Sequence, residues 1–183
     1  MQFFGRVTLV VLLVFFAPAA AGANARFSFD NVSTMAQKLA AESYRAPVPI
    51  PKLLSELSYD EYRDIRFDTK RAWWRDGGNF QVQFMHPGLF YGHAVKINTI
   101  DSSGVRAAAF SPQLFDYGKN RFAEKIPPDL GFAGFRVAYP FSRRDEFNHV
   151  IVFAGASYFR AVAKGQVFGL SARGLAIDTG LAS

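Results

Sequence analysis

The chain has 183 residues, a net charge of +6, 20 phenylalanines, seven tyrosines and no cysteine. An absence of cysteine excludes a disulfide-stapled mini-fold, so the chain must fold by packing a core. The positive charge is spread thinly, Arg143-Arg144 being offset at once by Asp145-Glu146, and no basic stripe interleaved with aromatics points to nucleic acid.

The first element is a targeting segment. Arg6 supplies a positive start, residues 7–17 are apolar apart from Thr8, Pro18 ends the run, and small residues fill the stretch to Ala25. This is the three-part layout of a secretory signal peptide, and a spanning helix would need roughly 20 apolar residues. Ala23-Asn24-Ala25 meets the small-residue requirement of signal peptidase, which places the cut after Ala25 and makes residues 26–183 the mature chain. No later stretch is long and apolar enough to span a bilayer, so the mature chain is expected to be soluble outside the cytoplasm.

The mature start reads as a helix. Asp30 is a candidate cap, and Val32, Met35, Ala36, Leu39 and Ala40 fall on one apolar face. Pro47, Pro49 and Pro51 impose an extended linker, with Pro51 opening a short helix. Ser58 followed by Glu61 is a capping-box signature for another.

From Ile65 the period changes. Phe80, Val82 and Phe84 alternate with Gln81, Gln83 and Met85, predicting a strand with one buried face. His86-Pro87-Gly88 breaks it. Val95, Ile97 and Thr99, the turn residues 101–104 and the run 105–110 predict a hairpin. Residues 111–129 are polar and contain proline, and read as a long surface loop. Further strands are expected at 132–139, 150–154, 157–163 and 167–177. Short strands with recurring turns predict an all-β fold, a sandwich or barrel, with short helices near the mature N-terminus.

No catalytic constellation emerges. Residues 169–174 have a glycine one position too late for a nucleophile elbow, and they lie in a strand context. His86, His93 and His149 have no metal-ligand spacing, and no cofactor motif is present. Asp145 and Glu146 beside arginines suit a solvated turn, and nothing pairs Asp178 with a second carboxylate. One strand pair points to binding. Tyr158 and Arg160 share a face, as do Ser171, Arg173 and Gly169. If the two strands are neighbours, an aromatic ring, two guanidinium groups and a hydroxyl converge, a combination suited to sugars. Trp73-Trp74 is either a second sugar platform or an anchor for the N-terminal segment.

Residues 129–135 (Asp-Leu-Gly-Phe-Ala-Gly-Phe), 155–160 (Gly-Ala-Ser-Tyr-Phe-Arg) and 165–179 (Gly-Gln-Val-Phe-Gly-Leu-Ser-Ala-Arg-Gly-Leu-Ala-Ile-Asp-Thr) resemble the periplasmic glucan biosynthesis proteins G and D. Residues 27–32 and the pattern Tyr59-x-x-Tyr62-x-x-Ile65-x-Phe67 fit as well. The resemblance implies a galactose-mutarotase-like β-sandwich, of which residues 26–183 are the incomplete N-terminal part. It also implies a periplasmic role in shaping β-1,2-linked glucan backbones, with β-1,2-glucanase activity in the family. The family's catalytic aspartates lie downstream of the matched region, so no catalytic residue carries over. The expected partner is a β-glucan polysaccharide; a non-enzymatic envelope module binding the membrane glucan synthase is the alternative. An incomplete sandwich leaves edges and apolar faces uncovered, and the expectation is that residues 1–183 alone are inactive and poorly folded.

Overall fold

The computed structural model describes residues 27–141, 143, 145–155, 157–169 and 172–174. The expected signal peptide lies outside the described residues. Three short helices come first: α1 (Phe29–Ala40), α2 (Lys52–Ser55) and α3 (Tyr59–Arg63). The cap of α1 is Ser28, in reciprocal exchange with Asn31, and Asp30 falls inside the first turn. Pro51 stands at the cap of α2. The box on α3 forms as its spacing requires: Glu61 N–H donates to Ser58 Oγ (3.3 Å) and Ser58 N–H donates to Glu61 Oε2 (2.8 Å).

Among the described residues nine strands follow: β1 (Arg66–Phe67), β2 (Gln81–Met85), β3 (Asn98–Asp101), β4 (Gly104–Ala107), β5 (Phe115–Asp116), β6 (Gly134–Tyr139), β7 (Asn148–Ala154), β8 (Tyr158–Ala161) and β9 (Ala172–Arg173). β2, β6, β7, β8 and β9 form one five-stranded antiparallel sheet in that order, while β1–β5 and β3–β4 are two-stranded ribbons. The fold is thus all-β with short helices. The register shifts once, between Val137 and Ala138 on β6, the extra-residue irregularity that bends and twists a sheet.

The main core lies against β2, where segments from both sides of the strand converge. Leu54 and Phe132 are buried completely or nearly so, and Val82, Phe84, Phe115 and Phe122 join them. Phe84 stacks on Phe132 at 4.2 Å and meets Trp73 edge-on at 4.7 Å. Trp73 also exchanges two backbone hydrogen bonds with Val82, so it anchors the chain to the sheet edge, while Trp74 is exposed. A smaller apolar cluster, Met85, Ala133, Val152 and Ala154, lies further along the sheet with Tyr91 and Tyr158 packed against it.

Two expectations need correction. Residues 111–129 do not form a surface loop: Phe115, Tyr117, Phe122 and Ile126 are core residues, carried by short 3-10 turns and β5. Single aromatic anchors spaced irregularly have no period for a pattern to find. Nor does β2 bury one face alone, because all five of its residues are buried, Gln81 and Gln83 included. At the far end, the expected strand over 167–177 is represented among the described residues by β9.

Candidate functional site

Side chains alternate across a strand, so the registers fix which residues share a face of the sheet. Gln83 lies opposite Arg136, Arg136 opposite Val152, and Val152 opposite Arg160. The next row on the same face runs Met85, Gly134, Ala154, Tyr158. Gly134 is required there: its φ is +154°, and a Cβ would stand 2.1 Å from the carbonyl oxygen of Phe153. The floor of this face is therefore small and apolar at Gly134 and Ala154, with Gln83, Arg136 and Arg160 in the adjoining row.

A cavity of about 1130 Å³ opens on this face beside the β2 edge. Gln81, Gln83, Arg136 and His149 come to it from the sheet, and Tyr62 comes from α3. Its mouth carries both signs of charge, with Arg63, Arg66, Lys70 and Arg75 against Asp76, Asp145 and Glu146. Asp145 is held by Arg143 at 3.0 Å in an exposed pair.

The interior groups are fixed. His149 Nε2 lies 3.1 Å from Gln83 Oε1; an amide oxygen only accepts, so Nε2 carries the proton and Nδ1 presents a lone pair. Burial, reinforced by the nearby Arg136 and Arg160 guanidinium groups, pushes His149 down to about 4, so the ring is neutral near pH 7. Arg136 is itself lowered, chiefly by burial, with Tyr62 and Tyr91 opposing the shift and Arg160 adding to it. Burial raises Tyr62, whose hydroxyl donates to the carbonyl of His86 at 2.8 Å. His86 belongs to the core: its Nδ1 donates to the Pro87 carbonyl (2.5 Å) and its Nε2 accepts from Tyr117 (3.1 Å). Burial pushes it to about 4 as well.

The residues singled out from sequence fall as follows. Tyr158 and Arg160 lie on the polar face, as their alternation requires. β8 and β9 are neighbours, and Arg173 stands opposite Tyr158 in register. Ser171 lies outside the described residues. Tyr158 packs on the small apolar cluster, and Arg160 carries its guanidinium carbon 4.3 Å above the Phe168 ring. Sequence reasoning missed Gln83, Arg136, His149 and Tyr62. A signal existed for two of them: Gln83 inside an apolar strand, and Arg136 between Phe135 and Val137.

Chemically, this surface offers donors and acceptors around a neutral imidazole, with aromatic walls and no carboxylate pair among the described interior residues. Residues 27–183 match the family described as periplasmic glucan biosynthesis protein, MdoG. The chain is 49% identical over 169 residues to glucans biosynthesis protein G of Ralstonia nicotianae, covering 91% of this chain and 34% of that protein. It is 44% identical over 159 residues to the protein of the same name in Pseudomonas aeruginosa, and 42% identical over 159 residues to that of Sodalis glossinidius; each alignment covers 86% of this chain and 30% of the relative. The chain spans about a third of the length of these curated relatives. It belongs to the MdoG family of periplasmic glucan biosynthesis proteins.

Proposed function

We propose that the polar face of the five-stranded sheet binds the backbone of a β-1,2-linked glucan in the periplasm, after export directed by residues 1–25. One observation carries most of the weight: buried amide groups and half-buried guanidinium and imidazole groups share a sheet face with a cavity of about 1130 Å³. A sugar chain presents rings of hydroxyls, each needing donors and acceptors, and an apolar ring face that packs on aromatics. Gln83 offers both kinds of group, Arg136 donates only, and Tyr62 and Tyr158 add rings with hydroxyls. The volume suits an elongated occupant, since small-molecule sites span about 300–1,000 Å³. The relatives, named for glucan biosynthesis, support the same reading.

These residues supply binding. Hydrolysis of a glycosidic bond requires two carboxyl groups flanking it, and in this reading the carboxylates belong to the part of the family protein beyond the matched region. Calorimetric titration with β-1,2-linked gluco-oligosaccharides, set against β-1,3- and β-1,4-linked ones, tests the proposal. Saturable binding of the β-1,2 series is expected, weakened at least about tenfold, or 1.4 kcal/mol, by Tyr158→Ala or Arg136→Ala in folded variants. No binding, or variants that bind like the parent, would contradict it. N-terminal sequencing of the periplasmic fraction tests export; a mature chain beginning at Arg26 is expected.

A further inference from the structure

We infer that Arg136 and Arg160 together form a receptor for one oxoanion, a carboxylate or a phosphate, on the polar face of the sheet. The two arginines flank Val152 in one cross-strand row, so their backbones are about 10 Å apart, two strand spacings. The Arg160 charge adds to the lowering of Arg136, so the two guanidinium groups lie within electrostatic reach of each other, and the oxygens of one oxoanion can take paired N–H donors from such groups.

Nothing described neutralises them. Among the described residues, neither Arg136 nor Arg160 enters an ion pair, although six other pairs form, all of them on exposed or half-exposed side chains. Arg160 Nε is buried and has no hydrogen-bond partner among the described residues. His149 uses its proton on Gln83, Tyr62 donates elsewhere, and among the described residues the acids at the cavity mouth, Asp76, Asp145 and Glu146, are exposed and form no ion pair with either arginine. A buried polar atom without a partner is costly, and two uncompensated cations side by side are more so. The Arg160 guanidinium carbon lies 4.3 Å from the centre of the Phe168 ring, a cation–π contact that gives its N–H groups no oxygen acceptor, the partner a guanidinium takes from an oxoanion. The site adjoins the proposed glucan cavity but does not depend on a glucan being bound.

The anion has two possible origins, a soluble ligand or a carboxylate of the same polypeptide outside the described residues. Side-chain ¹⁵N NMR of the whole chain separates them at constant ionic strength in chloride. With a soluble ligand, acetate or inorganic phosphate shifts the Arg160 Nε–Hε signal saturably; Arg136→Gln weakens this at least tenfold, Arg136→Lys less, and substitution of the exposed Arg121, outside the sheet, by Gln leaves it unchanged. With an internal carboxylate, the Hε signal is slow to exchange before any addition, ignores both probes, and shows contacts to an Asp or Glu side chain. Rapid exchange with no response to either anion, or slow exchange without a carboxylate contact, overturns the inference. Titration with a neutral β-1,2-linked glucose disaccharide in the same sample reads the glucan proposal separately, so either can fail alone.

Discussion

On one face of the five-stranded sheet Gln83, Arg136, Val152 and Arg160 stand in a row; on the other, one residue along each strand, stand Phe84, Phe135, Phe153 and Phe159. The aromatic row grades from a buried end to a half-exposed one. Phe84 is locked against Phe132 and Trp73, Phe135 stacks on Phe153 at 5.0 Å, and Phe153 and Phe159 are 39% and 37% exposed. The polar row stays buried or half-buried throughout: Gln83 is buried and the arginines are half-buried, where burial disfavours them. Apolar side chains packed on a sheet are explained by stability alone. A buried amide and half-buried cations are not.

Four changes sharpen that comparison. Phe84→Ala, at the buried end of the aromatic row, should destabilise the fold by about 3–5 kcal/mol, read from the urea midpoint. Titration tests the polar row. His149 and His86 are lowered to about 4 from an ordinary value of 6.5, so the unfolded chain binds more protons between those pH values. Stability is full above about pH 6.5 and is lost as pH falls toward 4, at up to about 1.4 kcal/mol per pH unit for each histidine. His149→Gln should remove about half of that slope, and a slope unchanged in the variant would break the assignment of a neutral buried ring. Arg160→Met should raise stability by about 1 kcal/mol, since it relieves an uncompensated cation, while it abolishes the anion response. A loss of several kcal/mol instead would mark an internal carboxylate as its partner. Phe159→Ser, at the exposed end of the aromatic row, should cost about 1 kcal/mol or less.

Local elements were legible in the sequence wherever a short-range signal set them. The Ser58–Glu61 box and the Pro51 start formed as read because each depends on neighbours within one turn. The strands β6, β7 and β8 appeared within a few residues of their expected bounds because apolar runs between turn residues define them. The buried role of residues 115–126 was not legible, since Phe115, Tyr117, Phe122 and Ile126 follow no period. The apolar face of α1 was legible as a stripe, yet Phe29, Met35 and Leu39 are exposed; a periodic pattern says which side is apolar and not what covers it. The site was half legible. Alternation put Tyr158 and Arg160 on one face, but Gln83 and His149 meet across 66 positions of chain, and only the strand order β2-β6-β7-β8 brings them beside the arginines.

The central claim, that the polar face of the sheet is the glucan-binding surface, is tested most directly by mapping amide and side-chain NMR shifts during titration with a β-1,2-linked gluco-oligosaccharide. The account predicts saturable shifts clustered at Gln83, Arg136, His149, Tyr158 and Arg160, with Phe153 and Phe159 on the opposite face unmoved. Shifts confined to the aromatic face or to the apolar groove between Phe80 and Val162, or no saturable shift at all, would contradict it.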